Sequence, residues 1–275
     1  MSWFEAVVLG IIQGLTEFLP ISSSAHLLVF GQLFGWEDPG AAFTAVTQIG
    51  TEIAVIVYFR VEIWAIMRAW VRSFWDVEAR QDPQARMGWL VIIGTIPIAV
   101  LGLAFSDQIE TAARNLWLTA SMLIIFGIVL AVADALGSKV KTERDITVRD
   151  GLIFGLAQSL ALIPGVSRSG ATISAGLAMG YSRAAAARYA FLLAVPAVLA
   201  SGLYEATKIS DDPNTAWGPT ILATIVAFGV GLAVIAWLMR WLSTRSYLPF
   251  VIYRIALGLF IIVLLVFGVL QPVSS

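Results

Sequence analysis

The sequence predicts an all-α polytopic membrane protein, with six transmembrane helices and two re-entrant helix hairpins in an inverted-topology repeat. Of its 275 residues, 59% are hydrophobic and 13% are charged. A soluble domain has about 25% charged residues, so a chain this poor in charge needs the bilayer as its solvent. The net charge of -1 gives no sign of a nucleic-acid partner, and the lack of cysteine excludes disulfide and thiolate chemistry.

Six stretches are long and apolar enough to span a membrane. A spanning helix needs roughly 20 apolar residues, with about 17 as the lower limit. Trp89, Trp117 and Trp217 flank some of these stretches, as interfacial aromatic residues do. The six stretches are residues 41–59, 89–105, 116–136, 186–205, 219–238 and 250–270.

Two other apolar stretches, residues 4–34 and 151–181, are interrupted. Each contains a proline, Pro20 or Pro164, followed by serines and an ionisable group. Proline removes a helical hydrogen bond, and irregular backbone at membrane depth persists only where it is buried in protein or lines a wet cavity. We therefore predict two re-entrant hairpins, each entering and leaving on the same side.

Three predicted spans separate the hairpins, so the hairpins enter from opposite faces. This organisation predicts one transmembrane domain, 1–275, with inverted repeats at roughly 1–136 and 151–270 and a polar site near the midplane. The two halves share a weak sequence similarity, FLPISSSA in the first and LIPGVSRSGA in the second, offset by one residue. Apart from Arg114 and Lys208, the loop arginines and lysines fall on one side, which the positive-inside rule makes cytoplasmic. Both termini and the mouth of the first hairpin are then expected to face outward.

The first hairpin contains the residues of a nucleophile with acid–base partners. Gln13 and Glu17 are four apart and share one helix face. The serines at 22–24 follow the proline and are N-cap candidates. His26, the single histidine of the chain, is expected about one turn beyond Ser23. A hydroxyl beside an imidazole, with a carboxylate nearby, is the arrangement that activates a serine nucleophile.

The second hairpin has the residues of a phosphate-binding site. After the break at Gly165, a helix is expected to begin at Ser167, Arg168 and Ser169. The free N–H groups of a helix N-terminus bind anions, and the Arg168 guanidinium is a forked donor that matches phosphate oxygens. Gly170 permits close approach of a ligand.

Plainer alternatives exist for several of these residues. His26 could be an interhelical hydrogen-bonding residue, and Glu17 and Arg168 could form a structural ion pair. Ser22 and Ser24 could act as helix caps alone.

Two further ionisable residues lie within apolar segments. Glu52 is four residues from Gln48 and either joins the site or faces a neighbouring helix as a packing residue. Arg254 is expected to snorkel to a membrane interface.

The two motifs resemble the signatures of a known family. Residues 13–26, QGLTEFLPISSSAH, resemble the first signature of the undecaprenyl-diphosphate phosphatases, the bacitracin-resistance proteins of bacteria, and residues 164–172, PGVSRSGAT, resemble the second. The resemblance covers the whole chain. It implies hydrolysis of undecaprenyl diphosphate to the monophosphate and phosphate, which recycles the carrier lipid of cell-wall synthesis at the bacterial inner membrane.

The resemblance also implies roles for individual residues. Ser23 matches the essential serine and His26 the histidine, while Glu17 matches an acidic residue and Arg168 the phosphate-binding arginine. The predicted substrate-binding residues are Gln13, Ser22, Ser24, Gly165, Ser167, Ser169, Gly170 and Thr172.

A divalent cation, Mg²⁺ or Ca²⁺, is implied as cofactor, with Glu17 as its expected protein ligand. Gln13 replaces a glutamate found in some members, which leaves few carboxylates for a metal. A hard cation held mostly by substrate phosphates and water would suffice.

The resulting hypothesis is that Ser23, assisted by His26, attacks the terminal phosphorus and forms a phospho-serine. Attack by His26 itself, or by water with Glu17 as base, stays open. A transporter or flippase of a prenyl-phosphate lipid is the alternative class, because inverted repeats with broken helices also build transporters. The expected partners are the lipid substrate and the bilayer, and a homodimer is left open.

Overall fold

The computed structural model of the chain describes residues 1–36, 40–113, 115–209 and 216–273. Within these ranges every regular element is a helix, so the all-α prediction is confirmed. Arg114, one of the two basic residues expected on the sparse side, lies outside the described residues. The side chain of Lys208, the other basic residue expected on that side, also lies outside the described part of the chain.

The described ranges form twelve α-helices, numbered here in chain order. They are α1 (Trp3–Thr16), α2 (Ser23–Phe34), α3 (Gly40–Tyr58), α4 (Arg60–Arg72), α5 (Pro83–Ala104), α6 (Ser106–Ala113), α7 (Leu116–Leu136), α8 (Val148–Ser159), α9 (Arg168–Ala178), α10 (Arg183–Ile209), α11 (Trp217–Leu242) and α12 (Leu248–Val266).

The six stretches predicted to span the membrane correspond to helices α3, α5, α7, α10, α11 and α12. The last stretch, 250–270, runs four residues beyond the end of α12 at Val266. Five of these helices, all except α3, are long and apolar enough to cross a bilayer. The apolar part described for α3, Phe43–Tyr58, is shorter. A multi-pass membrane protein is therefore confirmed, while the count of six spans stays a prediction.

The inbound helices of the two hairpins, α1 and α8, begin in the same way. Ser2 and Glu5 form a capping box at the start of α1, and Thr147 and Asp150 form one at the start of α8. In each box the hydroxyl accepts from a backbone N–H of the first turn while the carboxylate accepts from the cap residue's N–H. Helix α1 ends at Thr16, four residues before Pro20, and α8 ends at Ser159, five residues before Pro164.

The two inbound helices also pack in matching ways. Helix α1 packs on α11, and α8 packs on α5. A Cβ atom on Gly10 of α1 would lie 2.6 Å from the Ala223 carbonyl oxygen of α11, and one on Gly155 of α8 would collide with the Gly94 carbonyl of α5. Glycine at these points lets the helix backbones approach closely. The repeat boundaries at 1–136 and 151–270 remain a prediction.

The two breaks lie inside the helix bundle. Phe18 and Val166, one from each break, are fully buried. Phe18 packs edge-on against Phe191 of α10, with 5.5 Å between ring centroids. Helix α9 packs on α7, α8 and α10, so the irregular backbone of the second hairpin is covered by protein, as membrane depth requires.

Candidate active site

A serine with a left-handed backbone conformation precedes each outgoing helix. Ser22 has φ 71° and ψ 100°, and Ser167 has φ 69° and ψ 117°. Positive φ is uncommon for residues other than glycine, and strained backbone of this kind concentrates at functional sites. The first helical residues after these turns, Ser23 and Arg168, come from opposite hairpins and contact the same carboxylate.

That carboxylate belongs to Glu17, which is 8% exposed. Ser23 Oγ donates to Glu17 Oε2 at 2.8 Å, and Arg168 Nη2 donates to Glu17 Oε1 at 2.9 Å. Gln13 Nε2 donates to Oε2 at 2.7 Å. Charge-assisted hydrogen bonds are among the stronger ones in proteins, so the two hairpins are held together at one buried carboxylate.

Glu52 joins this cluster from α3. Its Oε2 lies 3.5 Å from Arg168 Nη2, and its side chain is fully buried. Of the two alternatives left open by the sequence, the structure selects the one in which Glu52 lies at the site. One guanidinium therefore faces two carboxylates, those of Glu17 and Glu52.

His26 does not contact Ser23 through a hydrogen bond. Its Nδ1 lies 2.7 Å from the Ser22 carbonyl oxygen, and its Nε2 lies 2.8 Å from the hydroxyl of Tyr253 on α12. The expected pairing of Ser23 with the imidazole is replaced by pairing with Glu17, because the Ser22 carbonyl and Tyr253 occupy both ring nitrogens. Sequence reasoning missed Tyr253, a tyrosine within an apolar span that carries no motif.

The serines around the breaks differ in what they cap. Ser167 Oγ accepts from the Gly170 N–H at 3.2 Å and caps α9, whereas Ser22 makes no side-chain cap to α2. The hydroxyl groups of Ser22 and Ser24 instead form a hydrogen bond, with 3.2 Å between their oxygens. Ser169 Oγ lies 3.2 Å from Ser167 Oγ and also donates to the carbonyl of Leu19 at 3.2 Å, a second contact between the hairpins.

Three residues predicted to bind substrate contact other parts of the protein. Thr172 is fully buried and donates to the Arg168 carbonyl at 2.7 Å within its own helix. Gly165 has φ 87°, and a Cβ there would collide with the Thr119 carbonyl of α7. A Cβ on Gly170 would lie 2.7 Å from an Arg254 nitrogen. These residues shape the backbone of the second break.

Arg254 of α12 is fully buried, so the expected snorkelling is wrong. Its guanidinium donates to four backbone carbonyls: Leu123 at 2.9 Å, Pro20 at 3.0 Å, Gly165 at 3.0 Å and Val166 at 2.9 Å. Burying a charge is costly unless it is well hydrogen-bonded, and these carbonyls provide that compensation. Arg254 thereby ties the first break to the second and both to α7.

The residues present offer little for a metal ion by themselves. Among the described residues there is no group of three or more His, Cys, Asp or Glu side chains that could hold one. Both oxygens of Glu17 already accept hydrogen bonds. Gln13 Oε1 and Glu52 Oε1 are buried oxygens without a hydrogen-bond partner, and such oxygens are the ligand type that Mg²⁺ and Ca²⁺ prefer. The site fits a cation that takes most of its ligands from phosphate and water.

The fold and the site together define a polytopic membrane protein in which a partly buried serine and a partly buried guanidinium contact one buried carboxylate, a set suited to phosphoryl transfer. The family model described as bacitracin resistance protein BacA matches residues 6–260. The chain belongs to this family, and the resemblance found in its two motifs is confirmed.

Named relatives match the chain over nearly its whole length. It is 58% identical to undecaprenyl-diphosphatase 2 of Streptomyces coelicolor, over 99% of this chain and 98% of the relative. It is 59% identical to the undecaprenyl-diphosphatase of Micrococcus luteus, over 98% of this chain and all of the relative.

Proposed function

We propose that the chain hydrolyses undecaprenyl diphosphate, a polyprenyl diphosphate lipid, to the monophosphate and inorganic phosphate. The names of its full-length relatives support this reaction. The observation that carries the proposal is the buried Glu17 carboxylate, which accepts from Ser23 and from Arg168. The reaction returns the carrier lipid to cell-wall synthesis.

In the first step Ser23 Oγ attacks the terminal phosphorus of the diphosphate. Its proton passes to Glu17 Oε2, which lies 2.8 Å away and acts as the general base. A bond forms between Oγ and phosphorus, and the bond from phosphorus to the bridging oxygen breaks. The lipid monophosphate leaves with that oxygen.

Arg168 stabilises the negative charge on the phosphoryl oxygens in the transition state. Its guanidinium forms bidentate bonds with phosphate oxygens, and preorganised donors of this kind are usually a large part of transition-state stabilisation. In the free protein Glu17 holds Arg168 in place at 2.9 Å. The N–H groups at the starts of α2 and α9 add donors for the phosphate.

In the second step water attacks the phospho-serine. His26 Nε2 takes one proton of the water, whose oxygen bonds to phosphorus while the bond from phosphorus to Ser23 Oγ breaks. Oγ recovers its proton from Glu17, phosphate is released, and His26 returns its proton to bulk water. Attack by His26 itself, and direct attack by water with Glu17 as base, are the alternatives. Trapping the phosphorylated enzyme and locating the adduct distinguishes them, since an adduct on His26 would refute the serine mechanism.

The free buried oxygens of Gln13 and Glu52 would hold a divalent cation, Mg²⁺ or Ca²⁺, in this proposal, with at most one further ligand from Glu17. When bound, the cation would neutralise part of the diphosphate charge. A chelator is expected to lower the rate, and added Mg²⁺ or Ca²⁺ to restore it.

The proposed location is the bacterial inner membrane, with both termini and the mouth of the first hairpin facing outward. The excess of loop arginines and lysines on one predicted side supports this orientation. The prenyl tail then lies between apolar helices while the diphosphate reaches the two breaks. The homodimer left open by the sequence stays a prediction.

Phosphate release from detergent-solubilised undecaprenyl diphosphate tests the proposal. The wild type is expected to release phosphate, and Ser23→Ala to lose at least about 10³-fold in kcat, since it removes the nucleophile. Ser121→Ala is the matched control, because Ser121 only back-bonds to the Trp117 carbonyl of α7 at 2.8 Å. If the wild type releases no phosphate yet moves the lipid across a vesicle bilayer, the transporter hypothesis replaces the phosphatase.

A further inference from the structure

The hydrogen bonds around His26 define its tautomer. A carbonyl oxygen only accepts hydrogen bonds, so the nitrogen 2.7 Å from the Ser22 carbonyl, Nδ1, carries the proton. In the neutral ring Nε2 then has the free lone pair. The hydroxyl of Tyr253, 2.8 Å away, must be the donor to that lone pair.

The two rings are arranged to keep this hydrogen bond. Their planes differ by 4° and their centroids are 5.6 Å apart. His26 is 4% exposed, while Tyr253 is 46% exposed. The tyrosine therefore reaches from the surface of the helix bundle to a buried imidazole, and loss of its hydroxyl alone would leave the ring packing in place.

The position of Tyr253 is fixed by its neighbour in the chain. Arg254 donates to carbonyls of both breaks, so this turn of α12 cannot shift without disturbing the turns that carry Ser22 and Ser167. A functional group held on a rigid helix by such a surrounding shell is positioned more accurately than one on a loop.

We propose that Tyr253 is a positioning residue that aims the Nε2 lone pair of His26 for proton transfer. The inference rests on the proposed function, in which His26 Nε2 takes the proton of the attacking water. Tyr253 holds the imidazole with Nε2 as its acceptor atom and releases it when the water arrives. His26 therefore acts as a base, and it is not the acid for the leaving oxygen.

The single histidine of the chain makes the hydrogen bond directly observable. Protein labelled with ¹⁵N-histidine gives one pair of ring-nitrogen resonances, which report the tautomer and the hydrogen bond at Nε2. At a pH where the ring is neutral, the wild type is expected to show a protonated Nδ1 and an unprotonated Nε2. Tyr253→Phe is expected to shift the Nε2 resonance while Nδ1 stays protonated.

Tyr58→Phe is the matched control, since Tyr58 is another half-buried tyrosine that packs edge-on against Phe59, with 4.8 Å between centroids. It should leave the His26 spectrum and the kinetics unchanged. Tyr253→Phe should lower kcat about tenfold with little change in KM, the pattern of an interaction that matters after binding. A merely structural hydroxyl would not produce that split.

Two results would overturn the proposal: a wild-type spectrum with protonated Nε2, or a Tyr253→Phe spectrum identical to the wild type. An unchanged kcat in Tyr253→Phe would also overturn it. If the spectra behave as expected but no form of the protein releases phosphate, the Tyr253–His26 pair stands while the phosphatase function fails. The two failures are thus distinguishable.

Discussion

The two breaks have the same backbone conformation but position different side chains. Ser22 and Ser167 share a left-handed conformation within a few degrees of φ, and they are 145 positions apart. The residue after each serine is the first of the outgoing helix, and it is Ser23 in one hairpin and Arg168 in the other. One turn thus presents a nucleophile and its counterpart presents a cation.

Arg254 contacts the two breaks at equivalent points. Pro20 and Gly165 are also 145 positions apart, and each gives its carbonyl oxygen to the same guanidinium at 3.0 Å. A single side chain therefore bridges the two hairpins, in addition to the contacts at Glu17 and at Ser169. The difference lies in the caps: Ser167 caps its helix and Ser22 does not, which leaves more donor capacity at the start of α2.

Replacing Glu17, which contacts both breaks, is expected to have the largest effect. Glu17→Gln keeps the shape of the side chain but removes the charge that holds Arg168 and the base for Ser23. General-base catalysis contributes about 10²–10⁴-fold, so kcat for phosphate release should fall at least about 10²-fold.

The control for this prediction is Glu62→Gln, which alters an ion pair with Arg188 at 3.2 Å remote from the breaks. Its kcat should stay within about twofold of the wild type, because neither partner of this ion pair contacts Glu17, Ser23 or Arg168. Equal kcat for Glu17→Gln and wild type would show that the shared carboxylate is not part of the chemistry.

Replacing Arg254 should reduce stability more than any single cap does. Arg254→Lys keeps the charge but lacks the five-donor fork, so some of the four buried carbonyls lose their partner. Each unsatisfied buried group costs about 1–3 kcal/mol. The thermal unfolding midpoint in detergent should fall clearly, whereas Arg240→Lys, in the last turn of α11, should leave it unchanged. Equal midpoints for the two variants would contradict this account of Arg254.

Comparing the two cap serines should give the smallest effect. Ser167→Ala removes a side-chain cap, which is worth about 1 kcal/mol, whereas Ser22→Ala removes none. Both positions have positive φ, so the backbone cost of alanine is shared and cancels in the comparison. Ser167→Ala should therefore be less stable than Ser22→Ala by about 1 kcal/mol in denaturant unfolding. Equal stability of the two variants, or the reverse order, would contradict the difference between the two caps.

The sequence predicted the fold class and the two motifs because their signals are local. Long apolar stretches and prolines followed by serines report on a helix and its interruption without reference to the rest of the chain. Aligning the prolines, however, shifted the two halves by one residue. The backbone instead matches Ser22 with Ser167, because the left-handed turn, not the proline, marks where the outgoing helix begins.

The contacts that the sequence could not predict are between distant segments. Arg254 looked like a residue near an interface, since nothing in its own segment indicates four carbonyls from other helices. The contact of Tyr253 could not be predicted for the same reason, because its partner His26 is 227 positions away. The pairing of Ser23 with Glu17 instead of His26 depends on how the chain turns at the break, which composition and spacing do not specify.

A cross-link tests most directly whether the two hairpins meet at their breaks. The chain has no cysteine, so Leu19→Cys and Ser169→Cys introduce a unique pair where a serine hydroxyl lies 3.2 Å from a carbonyl. A protease site in the loop 137–147 separates the halves after treatment with a short thiol cross-linker. Val148→Cys replaces Ser169→Cys in the control pair, because the far end of α8 is about 18 Å from the break at 1.5 Å per residue.

Before cleavage, the far-UV circular dichroism of both double-cysteine proteins should match that of the wild type, which shows that each is folded. After cleavage, the halves of the Leu19→Cys, Ser169→Cys protein should remain joined, and those of the control pair should separate. Separation of both pairs, or equal joining of both, would contradict the meeting of the two hairpins.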